Sequence, residues 1–333
     1  MTNPDVKLAK DVLGSAGTEA AATRDGFGRA LIELGATNKD VVVLCADLAE
    51  STRALQFKEK YPSRYVEFGV AEQNLAAVAA GLANYGKVPF IASYAAFNPG
   101  RNNEQIRTTI AINNVPVKIA GMHAGLYTGA DGATHQALED LALMRVLPNM
   151  TVVSPCDEEE AYKATLAAAK WPGPVYLRFA REKTPRITTK DTPFLLGKAM
   201  LLWQSARPKV AIFATGPMVH RALLAARELE NSMIQTSIFN VHSLKPLDRA
   251  MIVSAAHSAG AVVTVEEHQV AGGLGSAIAE VLAEECPVPM RFVGVRDRFG
   301  QSGTPEELLE HYGLGVRHIV EAVTEAYNRK NSA

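Results

Sequence analysis

The stretch Val115-Pro-Val-Lys-Ile-Ala-Gly-Met122, followed by His123-Ala-Gly-Leu-Tyr-Thr-Gly-Ala-Asp131-Gly-Ala-Thr-His135-Gln136, decides the fold class. Residues 115 to 122 read as a buried strand, and the periodic run Ala137–Val146 reads as a helix. The segment between them holds glycines at 125, 129 and 132, two histidines and an aspartate, too polar and too flexible for a mere connection. In a parallel sheet the carboxyl ends of the strands face the ligand, so these imidazoles and this carboxylate are what a polar small molecule would meet. A lone loop histidine is ordinarily solvated or structural. The doublet gains weight from the rest of the chain.

Outward from this loop, helices and apolar strands alternate. The expected elements of a first unit are helix 19–36, strand Val41–Cys45, helix Ala71–Tyr85, strand Val88–Ser93, helix 103–112, strand Thr151–Ser154, helix Asp157–Trp171 and strand Pro174–Phe179. The strands lack alternation, as expected where helices cover both faces of a parallel sheet. Asp157 with three glutamates after it favours a helix start, because carboxylates suit the positive end of the dipole. Residues 1–17 carry little pattern and read as a mobile or draped tail. The polar stretch Arg181–Pro193, with two prolines, reads as a connection between units, and the linker proper is set at 183–195.

A second unit follows: strand Val210–Thr215, helix 217–230, strand Gln235–Asn240, helix 248–258, strand Ala261–Glu266, helix 273–285, strand Arg291–Val295 and helices 305–311 and 315–328. The fold class is therefore α/β, two doubly wound, mostly parallel sheets, with domains at 18–182 and 196–330. Ala271-Gly-Gly-Leu-Gly275-Ser could cradle a phosphate at a helix start, but it is not the full dinucleotide fingerprint, and close helix–strand packing is the better reading.

Composition bounds the partners. With 333 residues, 34 basic and 35 acidic, the net charge is −1, so no field strong enough to attract nucleic acid or an anionic membrane is evident. No run approaches the about 18 apolar residues of a membrane span. The hydrophobic content of 47% is high for a soluble chain and points to extra buried surface between subunits. Cys45, Cys156 and Cys286 are widely spaced and odd in number, so neither a zinc cluster nor a disulfide framework is formed, and a reducing cytoplasm fits.

Four motifs, in order, carry a resemblance to a known family: Ala22-Thr23-Arg24, Cys45-Ala46-Asp47-Leu48-Ala49-Glu50-Ser51, Phe68-Gly69-Val70-Ala71-Glu72-Gln73-Asn74, and the histidine loop ending Asp131-Gly-Ala-Thr-His135-Gln136. Together they resemble the transketolase family of thiamine diphosphate enzymes, and with Leu177-Arg178-Phe179-Ala180-Arg181 the likeness covers about residues 18–328. It implies a pyrimidine-binding domain followed by a transketolase C-terminal domain.

The resemblance also implies roles. Glu72 would activate the cofactor by hydrogen-bonding the aminopyrimidine N1′, a task helped by apolar surroundings that let a carboxyl hold a proton. Val70-Ala71 and Leu75-Ala76-Ala77 supply such neighbours in sequence. Tyr94 and Phe97 would form the slot for the ring, with Phe97 stacking, although the family's third aromatic falls near Gly100 here. Asp47 and Leu48 would sit by the cofactor across a subunit interface. His123 and His135 would serve the sugar's hydroxyls and carbonyl as catalytic groups, with Asp131 on a hydroxyl. Arg24, Ser51 and Arg181 would grip a terminal phosphate, for which the arginine fork is suited.

The family's Gly-Asp-Gly motif, which holds the diphosphate through Mg²⁺, is absent from these residues. The chain therefore resembles the second subunit of a split transketolase that needs an N-terminal partner bearing the metal ligands, in an α2β2 assembly, and no metal ligand is assigned to this chain. The alternatives are the β subunit of a 2-oxo acid dehydrogenase E1 component, a deoxyxylulose-phosphate-synthase-like enzyme, and a non-catalytic scaffold subunit. Arg24, Ser51, His123 and Arg181 weigh against the first and His123 against the second. An intact Glu72 with the histidine loop weighs against the third.

Overall fold

Uninterrupted apolar runs become fully buried parallel strands in the computed structural model, which describes residues 1–14, 19–232 and 234–332. The first unit opens with β1 (Ala20–Ala22), α1 (Thr23–Thr37), β2 (Val41–Cys45), α2 (Leu55–Lys60), β3 (Tyr65–Glu67), α3 (Glu72–Asn84) and β4 (Val88–Tyr94). It continues with α4 (Asn103–Gln105), β5 (Lys118–Met122), α5 (Asp140–Arg145), β6 (Thr151–Val153), α6 (Glu158–Lys170), β7 (Val175–Arg178) and β8 (Lys183–Pro185). The second unit holds β9 (Met200–Gln204), β10 (Val210–Ala214), α7 (Met218–Asn231), β11 (Thr236–Asn240), β12 (Ser243–Lys245), α8 (Arg249–Ala259), β13 (Val262–Gln269), α9 (Leu274–Glu285), β14 (Met290–Val295), α10 (Pro305–His311) and α11 (Val316–Ser332).

The first sheet has the order β12-β6-β7-β5-β4-β2-β3, parallel except for β12, which the second unit adds antiparallel to its edge. The second sheet has the order β14-β13-β10-β11-β9, with only β9 antiparallel. One apolar cluster runs through both units, from Leu44, Leu75 and Ile91 to Phe213, Phe239 and Ile252, so the two sheets share a core. On the other face of the first sheet α1 and α6 pack together, and Phe27 of α1 lies against Phe90 and Phe179. Helix α6 starts as its sequence demands: the Asp157 carboxylate accepts the Glu160 amide at 2.8 Å.

Several local expectations yield to tertiary pairing. The helix expected from residue 19 begins at Thr23, because Ala20–Ala22 pairs antiparallel with β8. The helix expected over 137–146 narrows to Asp140–Arg145, since Ala137 bridges to Ala124 instead. The strand expected from Val115 begins at Lys118, and the helix over 103–112 continues past Gln105 as a π-helical turn, Ile106–Ala111. The short elements α2, β3, β8, β9 and β12 have no counterpart among the expected ones, and β8 falls within the stretch 183–195 expected as a linker. Residues 1–14 are draped on the second unit: Thr2 bridges Trp203, the Asn3 amide donates to the Leu202 carbonyl at 2.8 Å, and Val6 and Val12 are buried. Residues 15–17 of the expected tail lie outside the described residues. Between the units Thr188 is buried and its hydroxyl donates to Asp157 at 2.8 Å. Among the described residues no helix is long and apolar enough to cross a membrane.

The glycine-rich start of α9 is a packing device. The amides of Leu274 and Gly275 donate to the buried Glu266 carboxylate at 2.7 and 2.8 Å, so the donors a phosphate would use are already bound. A Cβ at Gly273 would fall 2.0 Å from that carboxylate.

Candidate active site

The candidate residues gather past the C-terminal ends of the parallel strands, where a doubly wound sheet meets its ligands. Beyond β2 comes Asp47 and beyond β5 comes His123, both non-glycine residues in left-handed backbone conformation (φ 56° and 52°). Backbone held in that region costs free energy and persists where surrounding structure imposes it. The imposing group at Asp47 is Glu67, whose carboxylate accepts the amides of Asp47, Phe68 and Gly69 at 2.7, 3.1 and 3.1 Å. Burial raises the Glu67 pKa, but the Tyr65 hydroxyl and these three amides outweigh it and lower the value overall.

At the centre lie four rings. Tyr94, at the end of β4, stacks on His123 with centroids 4.0 Å apart and planes 19° apart. Phe97 lies 6.0 Å from Tyr94, and His135 meets both edge-on at 6.0 and 5.4 Å. His123 is 1% exposed, and its pKa is lowered to about 3 by burial first, then by Arg24 and Arg181. Arg24 Nη1 donates to His123 Nε2 at 3.0 Å and to the Ser51 carbonyl at 2.9 Å. A guanidinium only donates, so Nε2 accepts and the neutral ring carries its proton on Nδ1. That Nδ1 and Arg24 Nε are buried without a hydrogen-bond partner. Arg181 Nη1 donates to the Thr128 carbonyl at 3.0 Å and meets Asp131 at 3.4 Å. Arg53 and Arg181 both act on Arg24: burial lowers the Arg24 pKa, and the charges of Arg53 and Arg181 lower it further against the pull of Asp25, which is itself paired with Arg53 at 2.7 Å.

Glu72 opens α3 and is 1% exposed. Its surroundings differ from the apolar pocket expected from sequence. Oε1 accepts the Ser93 hydroxyl at 3.2 Å, Oε2 pairs with Arg101 Nη1 at 2.7 Å, and Val70 points outward, 70% exposed. The Arg101 guanidinium also lies over the Phe97 ring, 4.4 Å from its centroid. Arg101 thus joins Glu72 to the ring cluster, a link that sequence reading does not assign. Its signal in the chain is a cation shortly after the Tyr94–Phe97 aromatic pair, where the third aromatic is missing.

The structure therefore brings together Arg24, Ser51, Tyr94, Phe97, His123 and His135, sets Arg181 and Asp131 beside the same loop, and ties in Glu72 through Arg101. Asp47 and Leu48 lie past β2 at the same sheet end, since β2 pairs with β4 in register Cys45↔Ala92. Neither of them takes part in the ring cluster.

Comparison with known proteins agrees with this architecture. Residues 19–186 match the transketolase pyrimidine binding domain and residues 197–319 the transketolase C-terminal domain. The chain is 42% identical, over 92% of its length and 95% of the relative's, to a 6-deoxy-6-sulfo-D-fructose transketolase subunit of Clostridium sp. (strain MSTE9). It is 36% identical to one subunit of the apulose-4-phosphate transketolase of Phocaeicola vulgatus, over 91% of this chain and 97% of that one. A solved split-gene transketolase, described as an inactive β4 tetramer, superposes with a TM-score of 0.87 at 48% identity, covering 93% of this chain and 99% of that one. With both of its units matched in this way, the chain belongs to the transketolase family.

Proposed function

We propose that this chain is one subunit of a split transketolase, transferring a two-carbon ketol unit from a ketose to an aldose once joined to a partner that carries the diphosphate site. The observation that carries the reading is the cationic pocket beside His123. Arg24, acted on by the charges of Arg53 and Arg181, leaves its Nε–H buried and unpartnered beside the equally unpartnered His123 Nδ1–H, and this donor pair fits an oxygen-rich ligand with an anionic end. The terminal phosphate of a sugar phosphate supplies one, and so does a sulfonate. The relatives support the same class, since one is named for a sulfo sugar and another for a sugar phosphate.

The residues fit thiamine diphosphate on one observation: Arg101 already makes two contacts that a planar aminopyrimidine would need, one over the Phe97 ring and a hydrogen bond to buried Glu72. Bound there, the cofactor would supply the stabilised carbanion that cleaves and forms carbon–carbon bonds next to a carbonyl. Glu72 would hold the ring nitrogen by a hydrogen bond once Arg101 withdraws, and Phe97, with Tyr94 beside it, would flank the ring. His123, neutral and with its proton on Nδ1, would donate to the sugar's carbonyl or hydroxyl oxygen, and His135 would exchange protons with neighbouring hydroxyls. Asp131 would accept from a hydroxyl, while Arg24, Ser51 and Arg181 hold the far anion. Asp47 and Leu48 would border the cofactor from the end of β2. Mg²⁺ and its ligands would belong to the partner, in an α2β2 assembly.

The test is ketol transfer from xylulose 5-phosphate to ribose 5-phosphate, and from 6-deoxy-6-sulfo-D-fructose, with thiamine diphosphate and Mg²⁺, by this chain with and without its candidate partner. Activity is expected only in the complex. Glu72→Ala should lower it by about 10²–10⁴-fold while the complex still assembles. An E72A complex as active as the parent would refute the role of Glu72, and activity of the chain alone would refute the need for a partner.

A further inference from the structure

The histidine loop is held by both units. Within the loop the bonds are short-range: Gly125 to the Ala137 carbonyl at 2.9 Å, Thr128 to Gly125 at 3.2 Å and Gly132 to Gly129 at 3.2 Å. Longer-range ties come from the first unit, where the Ala124 amide donates to the Phe179 carbonyl at 3.0 Å and Arg181 to the Thr128 carbonyl, and also from the second. The Tyr127 amide donates to Glu267 Oε1 at 2.5 Å, Gln136 Nε2 bonds the Gln301 carbonyl at 2.9 Å, and the Gln269 amide bonds the Leu138 carbonyl at 2.8 Å.

Among these ties the carboxylate of Glu267 stands apart. It is 2% exposed at the end of β13, with its second oxygen 3.9 Å from Arg178, whose Nη2 donates to the Glu267 carbonyl at 2.8 Å. Arg178 is itself anchored to Asp140 at 2.9 Å, so the carboxylate has a rigid seat. The loop backbone comes so close that a Cβ at Gly125, where φ is +74°, would fall 2.3 Å from Glu267 Oε1. One residue beyond Tyr127, the Thr128 hydroxyl donates to the His123 carbonyl, and the Thr128 carbonyl accepts from Arg181. The path from Glu267 to both site groups is thus two residues of loop.

We propose that Glu267 is a positioning residue: its carboxylate, reaching from the second unit, holds the Tyr127 amide and so sets where His123 and Arg181 stand. The inference gives the second unit a part in catalysis, and only its activity arm rests on the ketol-transfer reading.

The experiment compares Glu267→Gln, which keeps the acceptor oxygen and the shape, with Glu267→Met, which keeps the shape without the acceptor. Hydrogen–deuterium exchange is followed in residues 123–136 and, for reference, in β10, in the full chain and in the complex with its partner. In E267M exchange at residues 127–129 should speed by about tenfold or more with β10 unchanged, since a buried amide has lost its partner. The kcat of the complex should fall by about tenfold or more with thiamine diphosphate affinity unchanged, and E267Q should restore both. Unchanged loop exchange in E267M, equal acceleration in β10, or an E267Q as defective as E267M would each overturn the proposal. Should E267M fail to fold, the unaltered chain decides: Tyr127 protection equal to that of β13 supports the proposal, and exchange as fast as an exposed loop amide refutes it. If the unaltered complex transfers no ketol unit, the functional reading falls, and loop exchange alone decides the role of Glu267.

Discussion

Removing Arg101 should strengthen cofactor binding while weakening the isolated chain. Arg101 is 44% exposed along its side chain, whereas its partner Glu72 is 1% exposed, 2.7 Å away. A hydrogen bond to a charged group contributes about 1.5–3 kcal/mol, and solvent at the half-exposed guanidinium puts this one at the low end. The contact over Phe97 adds about 0.5 kcal/mol. Withdrawing Arg101 before a ring can reach Glu72 therefore costs about 2 kcal/mol, which corresponds to about 30-fold in affinity. Arg101→Ala abolishes that cost. Titrating thiamine diphosphate into the assembled complex at fixed Mg²⁺, read by calorimetry, should show binding about 30-fold tighter in R101A. The variant's Tm should drop, because a buried carboxylate is left with Ser93 as its side-chain donor. Affinity that stays unchanged would refute the overlap between Arg101 and the ring. Weaker binding would show that the arginine stays in place and holds the cofactor.

Two further outcomes test the packing and the electrostatics. The His123 pKa falls from the ordinary 6.5 to about 3, so between those values the unfolded chain takes up a proton that the native ring refuses. Its contribution is fully present above pH 6.5 and is lost as pH falls toward 3; in urea titrations at pH 7, 5 and 4, His123→Gln should flatten that acid-side loss, and parallel slopes for the two proteins would count against it. Gly26 sits where α1 crosses α6, and a Cβ there would lie 2.0 Å from the Glu158 carbonyl. Gly26→Ala should cost about 1–3 kcal/mol or more in urea denaturation, whereas Gly81→Ala, with nothing within 4 Å on an exposed face of α3, should gain up to about 1 kcal/mol; equal effects at the two sites would refute this account of the helix crossing.

Much of the molecule is legible along the chain, and the reasons are local. The run Val41–Cys45 reads as a strand because all five residues are apolar, and it is buried throughout. Asp157 reads as a helix start because its carboxylate reaches an amide three residues on. The histidine doublet stands out because two imidazoles and an aspartate share one glycine-bearing loop. The short strand β12 escapes sequence reading because three residues carry too little pattern, and β1 reads as helix because its pairing partner lies far along the chain at β8.

The sequence by itself determined the alternation of strands and helices and the loop that carries the histidines, which rest on forces acting within a few residues, while Glu72 was singled out by the resemblance of its motif. Only the tertiary structure decided that Arg101 covers Glu72, that Arg24 fixes the proton on His123 and that Glu267 reaches 140 positions back to the Tyr127 amide. A charged side chain destined for a buried contact looks, in sequence, the same as one destined for water. Its partner is chosen by how the sheets pack, and that choice leaves no periodic trace in the chain.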